Sequence, residues 1–385
     1  MSKLVSACAA AAVLALLVSA GASARTTGPT WSTYIVTLKA SAGDSHAAAA
    51  DASRRFGGRV EHVYANALSG FAISLPDPAA ARLAADPRIE SVELDGVVTA
   101  DTTQSGATWG LDRIDQQFRP LSGTYSYNNT GSGVTAYIID TGIRFSHSEF
   151  GGRATSGYDA VDGGSADDCN GHGTHVAGTV GGSTYGVAKG VDLVAVRVLN
   201  CSGSGTTSGV IAGIDWVTGN HQAGQPAVAN MSLGGGASSA LDAAVRNSIA
   251  DGVAYAIAAG NGNRGGKAQD ACTTSPARVT EAMTVSATDS SDQKPRWANT
   301  GTCVDWFAPG VAITSSWYTS DTATNTISGT SMATPHTAGV AALYLQTNSA
   351  ATPLQVRNAL AANATPRVVG SPGSGTPNLL LFENY

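Results

Sequence analysis

A chain of 385 residues has room for more than one domain of ordinary size. Its 46 glycines, 43% hydrophobic content and only 13% charged residues fit a large, closely packed core and exclude a disordered or coiled-coil protein. The net charge of −6, with no basic run, excludes an electrostatic footprint for nucleic acid.

The chain opens with MSKLVSACAAAAVLALLVSAGASA. Lys3 supplies a weakly positive start, residues 4–19 an apolar run and Ala22-Ser23-Ala24 a small-residue cleavage site, the order of a signal peptide cut after Ala24. Val5-Ser6-Ala7-Cys8 looks superficially like a lipoprotein box, but most of the apolar run follows it. No other segment has the uncharged apolar length a bilayer span requires, so a secreted, extracellular protein without membrane contact is expected. Removing Cys8 leaves Cys169, Cys201, Cys272 and Cys303, an even set that predicts two disulfides in an oxidising compartment and leaves three pairings open. No CxxC pair occurs, so a structural zinc site is not expected.

Residues 30–98 read as strand TYIVTLK, helix DSHAAAADASRRFGG, a strand pair in RVEHVYANALSGFAISLP, helix PAAARLAADP and strand IESVELDGVVTA. This β-α-β-β-α-β order is that of a small ferredoxin-like α+β domain, only marginally stable at about 70 residues. The polar DTTQSGATWG after it has no periodicity and reads as a cleavage linker. From about residue 109, apolar strand runs at 134–140, 192–200, 226–233 and 253–261 alternate with helical spacing in SGVIAGIDWVTGNH and SALDAAVRNSIADG. That alternation predicts an α/β unit, a parallel sheet with helices on both faces. Ligands of such sheets collect at the carboxyl ends of the strands.

Four polar side chains fall at or near such ends. Asp140 closes AYIID and, taken alone, reads equally as a turn-capping residue. His172 opens the small-residue helix of DCNGHGTHVAGTVGG; with His175 it also offers a metal pair, although the Glu of HExxH is missing. Asn261 ends AYAIAAGN. Ser331, in SGTSMATPHTAGVAALYL, is either the N-cap of a buried helix or a nucleophile at a helix N-terminus, where negative charge is stabilised.

Together these residues meet the needs of acyl transfer. A serine needs an adjacent base, an imidazole suits that role, and a carboxylate behind it fixes tautomer and orientation. The developing oxyanion needs preorganised donors, available from the Asn261 side chain and the Ser331 backbone N–H. An α/β-hydrolase runs serine, acid, histidine. Downstream of Ser331 only His336 and Glu383 carry suitable side chains, in the wrong order, whereas Asp140, His172, Ser331 is the subtilisin order.

The segments IIDTGI, GHGTHVAGTVGG and GTSMATPHTAGVAAL resemble the three motifs of the subtilisin-like serine proteases. VRVLNCSGSGTTSGVIAGIDWV and NMSLGGG resemble the proteinase K branch, and WGLDRIDQ with the cysteine positions is most similar to aqualysin-type enzymes. The likeness covers residues 102–385 almost continuously, and the unit before it resembles the family's inhibitory propeptide. The resemblance implies a signal peptide at 1–24, an inhibitory and chaperoning propeptide at 25–101 and a peptidase domain at 102–385, a monomer that processes itself and acts on protein or peptide substrates. It assigns Ser331 as nucleophile, His172 rather than His175 as base, and Asp140 as the orienting acid. It places extended substrate against Gly203-Ser204-Gly205 and Ser232-Leu233-Gly234, with Ala258-Ala259-Gly260 as an uncharged wall of a pocket for apolar or aromatic P1 side chains. It pairs Cys169 with Cys201 and Cys272 with Cys303. It implies structural, non-catalytic calcium at Asp305 with the carbonyls of Thr280 and Ala282, and at a second cluster of Asp112, Asp115, Gln116, Ser122 and Thr124. The competing class is an inactive binding or inhibitory protein that keeps the fold; labelling of Ser331 by an organophosphorus reagent separates the two.

Overall fold

Strands β1 (Trp31–Leu38), β2 (Arg59–Tyr64), β3 (Gly70–Pro76) and β4 (Ile89–Leu94) form an antiparallel sheet in the order β2-β3-β1-β4. Helices α1 (Ser45–Phe56) and α2 (Asp77–Ala84) join them in the expected order. The Asp44 carboxylate caps α1 by accepting the Ala47 N–H, and Gly57, at φ +74°, ends it in the left-handed conformation. Val36, Leu38, Phe71, Ile73 and Leu75 pack with Ala48, Ala49, Ala52 and Leu83 in one core. The computed structural model describes residues 30–96 and 102–385, which belong to two compact units. The signal-peptide reading, residues 97–100 of the expected strand IESVELDGVVTA and Asp101 of the expected linker lie outside the described residues.

The second unit begins where the sequence predicts an unstructured linker, and here the structure differs. Residues Thr102–Ser105 form β5, paired antiparallel with β6 (Thr124–Tyr127) across the short helix α3 (Trp109–Ile114). β5 is mostly exposed, so no apolar alternation marks it; its partner, twenty residues on, defines it. There follow β7 (Thr135–Asp140), β8 (Ala154–Asp159), α4 (His172–Gly181), β9 (Asp192–Arg197), α5 (Thr207–Asn220), β10 (Ala227–Met231), β11 (Gly235–Gly236), α6 (Ser239–Asp251) and β12 (Ala254–Ala258). The chain continues through β13 (Thr274–Ser275), β14 (Met283–Thr288), β15 (Trp306–Pro309), β16 (Ile313–Ser316), β17 (Thr324–Ile327), α7 (Thr330–Thr347), α8 (Pro353–Asn363), β18 (Thr365–Pro366) and β19 (Leu379–Leu380).

The main sheet has the order β18-β19-β15-β14-β12-β10-β7-β9-β8 and is parallel except at the β18–β19 edge. Its strands alternate between two cores, as a doubly covered sheet requires. From β7 and β12, Ala136, Ile138, Ala254 and Ala256 join the core of α4, α7 and α8, whereas Tyr137, Ile139, Tyr255 and Ile257 join that of α5 and α6. The four strand runs expected from apolar content are β7, β9, β10 and β12, four neighbours in the sheet. β14, MTVSAT, is equally buried but reads as polar. Its Thr284 and Ser286 hydroxyls donate to the carbonyls of Ala277 and Asn299, which removes the cost of burying them.

Candidate active site

Asp140 ends β7 at the carboxyl edge of the sheet and is fully buried. Its Oδ1 accepts the Thr141 N–H at 2.7 Å. The His172 Nδ1 donates to Asp140 at 2.8 Å from Oδ1 and 3.0 Å from Oδ2. Because the ionised carboxylate only accepts, Nδ1 carries the hydrogen and Nε2 is the nitrogen left to exchange a proton in the neutral ring.

His172 is the first residue of α4, so the backbone donors around it have no partner within the helix. Three side chains take them: Asn170 Oδ1 accepts from His172 N–H (3.2 Å), Thr141 Oγ1 from Gly173 N–H (2.8 Å) and Asp168 Oδ2 from Thr174 N–H (2.9 Å). Gly171 before it has φ +109°, and a Cβ there would come within 2.5 Å of the Trp317 ring, so glycine is required twice over. Burial pushes the His172 imidazole down, but the Asp140 carboxylate, its hydrogen bond and the Asp168 charge outweigh that and hold it above its ordinary value.

The other two histidines singled out by the motifs are chemically quiet. His175 is buried with Nε2 donating to the Ile313 carbonyl, and desolvation pushes it down to about 4. His336 donates from Nδ1 to the Met332 carbonyl and is likewise pushed to about 4 by burial.

Ser331 is the second residue of α7. Pro335, four residues on, has no N–H to offer the Ser331 carbonyl, and the Ser232 hydroxyl donates to that carbonyl instead at 2.8 Å. The Ser331 hydroxyl donates to the Ser232 carbonyl at 3.1 Å. Among the described hydrogen bonds none joins Ser331 to His172, a contact that often closes only with substrate bound. Two cavities of ≈ 410 Å³ meet along Ser232–Gly235: His172 lines one and Ser331 the other.

Asn261 lines the Ser331 cavity. Its Oδ1 accepts both the Thr330 N–H (2.8 Å) and the Thr330 hydroxyl (2.9 Å). Two donors on one side identify that atom as oxygen and turn the amide NH₂ away from Thr330. The same Thr330 hydroxyl accepts the Gly260 N–H at 3.1 Å.

Gly203, Ser204, Gly205, Ser232, Leu233 and Gly234 line the His172 cavity, with Leu199, Val210 and Leu241 as apolar walls. Ala258 and Gly260 line the Ser331 cavity, together with Thr274 and Asn299, and no charged side chain does. Ala259 does not: it is fully buried in the α5–α6 core, because alternate residues of a strand face opposite sides. Thr274, Asn299, Thr330 and Asp168 escaped the sequence reading, since each is an isolated small polar residue without a motif of its own.

Disulfides join Cys169 to Cys201 and Cys272 to Cys303, as the resemblance implies. Loops of this length are worth about 3–4 kcal/mol each in the chain-entropy picture. The first bridge, with Asn170 Nδ2 donating to the Cys201 carbonyl at 3.0 Å, fastens the loop before His172 to the segment leading into Gly203.

Among the described residues no group of three or more His, Cys, Asp or Glu is placed to hold a metal. Asp305, expected at a calcium site with Thr280 and Ala282, has Oδ1 engaged by the Arg357 guanidinium and Oδ2 by the Thr284 N–H at 2.7 Å. That arrangement already supplies a cation at Oδ1. The second cluster is different. Asp112 accepts from Ser122 N–H and Oγ–H and from Gly123 N–H, and Ser122 Oγ lies 2.7 Å from Thr124 Oγ1. The Gln116 amide donates to the Phe118 and Pro120 carbonyls. Asp115 Oδ2 accepts the Ser126 N–H, while its buried Oδ1 has no partner. Burial, with Asp112 adding, pushes the Asp115 carboxyl up to about 6. An orphaned oxygen within an all-oxygen set fits a hard cation.

A serine at a helix start, an imidazole held by a buried carboxylate and an amide donor, gathered at the carboxyl edge of a parallel sheet, are the equipment of a serine hydrolase. Residues 131–378 match the subtilase family and residues 33–101 match peptidase inhibitor I9. An extracellular serine proteinase of Thermus sp. (strain Rt41A) is 62% identical over 330 residues, 86% of this chain and 79% of that protein. Alkaline serine exoprotease A of Vibrio alginolyticus is 55% identical over 84% of this chain, which spans 60% of that protein. The crystal structure of a cold adapted subtilisin-like serine proteinase matches with a TM-score of 0.69 and 58% identity, over 73% of this chain and all of that one. The chain belongs to the subtilase family: it is a subtilisin-like serine protease that carries an I9-type propeptide.

Proposed function

We propose that the protein is an exported endopeptidase in which Ser331, His172 and Asp140 form the catalytic triad and Asn261 with the Ser331 N–H forms the oxyanion hole. The single observation that carries this reading is the His172–Asp140 pair facing the same Ser232–Gly235 wall as Ser331. In the reaction the Ser331 hydroxyl turns from the Ser232 carbonyl to His172 Nε2, which takes its proton as Oγ attacks the substrate carbonyl carbon. Negative charge moves to the carbonyl oxygen, where the Asn261 NH₂ and the Ser331 N–H meet it. The imidazolium then protonates the leaving amine, and water, activated by the same nitrogen, hydrolyses the acyl-enzyme.

Gly203–Gly205 and Ser232–Gly234 offer backbone to an extended peptide, a strand-addition mode. The uncharged Ser331 cavity favours apolar or aromatic P1 side chains over Lys or Arg. The domain plan proposed is a signal peptide at 1–24, a propeptide at 25–101 that inhibits and assists folding of its own peptidase, and a monomeric extracellular peptidase at 102–385. None of the described helices is long and apolar enough to cross a membrane. Calcium, in this reading, stabilises and does not react: Asp112, Asp115, Gln116, Ser122 and Thr124 would hold it, while Asp305 is served by Arg357.

The test is covalent labelling of purified mature protein by an organophosphorus reagent with the adduct mapped by mass spectrometry. An adduct at Ser331 is expected; its absence sinks the enzyme reading. Ser331→Ala, made in a host without other proteases, should accumulate as a chain that still carries residues 25–101.

A further inference from the structure

The triad does not explain Asp168, the most heavily hydrogen-bonded carboxylate beside the site. Its Oδ1 accepts the Thr141 hydroxyl and the N–H groups of Asn170 and Gly171, each at 2.9 Å. Its Oδ2 accepts the Thr174 N–H at 2.9 Å and the Thr174 hydroxyl at 2.6 Å. The two hydroxyls pass the network on, Thr141 Oγ1 accepting the Gly173 N–H at 2.8 Å and Thr174 Oγ1 the Arg144 N–H at 3.0 Å. One side chain therefore ties the turn after Asp140 to the residues on both sides of His172.

We propose that Asp168 is a positioning residue that locks the orienting acid and the base of the triad into one rigid unit and lends the base a second negative charge. It lines neither cavity, so it acts through other residues and not by touching substrate. An Asp140–His172 hydrogen bond joins elements 32 residues apart, and its direction is useful only if β7 and the start of α4 cannot slide. Thr141 and Thr174, each bonded to Asp168, hold those two elements from both sides. The charged or titratable groups that bear on the His172 ring are Asp140 at the end of β7, Asp168 before α4 and His175 one turn along α4, which burial keeps neutral. Both carboxylates favour the imidazolium. The neighbouring Asp167 is exposed and its carboxylate makes no bond among the described ones, so it serves as a matched control for charge alone.

The inference rests on the triad reading above, and the experiment keeps the two apart. Mature enzymes carrying Asp168→Asn, Asp167→Asn, Thr174→Val and Thr174→Ser are titrated with the organophosphorus reagent, so that rates are expressed per labelled molecule. Then kcat, KM and the pH profile of kcat/KM are measured on a peptide substrate. No labelling in the unsubstituted enzyme would be a failure of the triad, not of Asp168. Asp168→Asn should lower kcat by about 10- to 100-fold, the scale of a small misplacement. It should also move the acid limb of kcat/KM to lower pH by about half a unit, the effect of losing one partly screened charge. Asp167→Asn should do neither. Thr174→Val keeps the charge but cuts the tie, so kcat should fall with the acid limb in place, and Thr174→Ser should restore it. An unchanged acid limb and kcat in Asp168→Asn overturns the proposal, as does a loss of thermal stability alone. If Asp168→Asn does not mature, equal kcat in the two Thr174 variants overturns it.

Discussion

Asp140 and Asp115 are both carboxylates withdrawn from water at the ends of regular elements, and the structure treats them in opposite ways. Asp140 is fully buried, yet its oxygens are met by the His172 Nδ1–H and the Thr141 N–H. Asp115 is only half-buried, yet one of its oxygens has no partner and its carboxyl is pushed up to about 6. Burial of a charge is therefore not what makes a site; the group that meets the charge decides its use. Met by an imidazole, the carboxylate raises the basicity of that imidazole and serves chemistry. Left unmet, it resists ionisation, weakens the folded state where it must ionise, and offers a cation a place to bind.

The largest expected effect comes from removing the first partner. Asp140→Asn should lower kcat by about 10⁴-fold, because an amide holds the imidazole in the wrong tautomer. Steady-state kinetics with correction for titratable sites measure this. Next is Asn261→Ala, expected to cost about 10²–10³ in kcat with little change in KM, the worth of one preorganised oxyanion donor. A large rise in KM at constant kcat would place Asn261 in ground-state binding instead.

The pH profile sharpens the contrast between the two carboxylates. His172 must be neutral to act as base and its pKa lies above the ordinary 6.5, so kcat/KM should fall as pH drops through a midpoint above 6.5. Asp115 acts on stability. Its folded pKa of about 6 exceeds the ordinary 3.8, so the folded chain holds that proton more tightly than the unfolded one. Its contribution is full below about 3.8 and is lost as pH rises toward about 6. Calcium bound only by the folded state should reverse that loss, by about 2.7 kcal/mol at a hundredfold excess over its Kd. Thermal melts of inhibited enzyme, with chelator and with calcium at pH 4 and 7, should show the response at pH 7 in the native sequence and not in Asp115→Asn. Initial activity at moderate temperature should survive chelation in both.

The smallest effect is expected at Asp305. Arg357→Met leaves a largely buried carboxylate oxygen unmatched and should cost about 1–3 kcal/mol in denaturant unfolding. Initial activity should be unchanged, and the chelator response should persist. A chelator response that grows in Arg357→Met would show that Asp305 takes calcium once the guanidinium is gone, and would reverse the ranking.

Most of the chemistry was readable in one dimension because local rules carried it. Apolar runs marked β7, β9, β10 and β12, the strands buried on both faces, and the polar residues that end two of those runs, Asp140 and Asn261, stood out against that background. The order of Asp140, His172 and Ser331 by itself separates this chain from α/β-hydrolases. β14 escaped because its buried Thr and Ser are satisfied by carbonyls from residues up to 13 positions away. β5 escaped because an exposed edge strand has no pattern without its partner.

Three side-chain environments exist only in the folded chain, each for the same reason: what a polar group can do depends on what packing brings to its other side. Residue types alone could not choose between His172 and His175; Asp140 on one ring and the Ile313 carbonyl in a dry core on the other set them apart. Asp305 and Asp115 look alike in the chain, but Arg357, 52 residues on from Asp305, meets one charge, and no such cation meets the Asp115 oxygen left over. Asp168 has no motif at all: the donors of Asn170, Gly171 and Thr174 lie within six residues of it, but the Thr141 hydroxyl, 27 residues back in the chain, reaches it only once β7 and α4 are side by side. Periodicity and residue order are properties of the chain, whereas the partner of a buried charge is a property of contacts between distant segments, which exist only after folding.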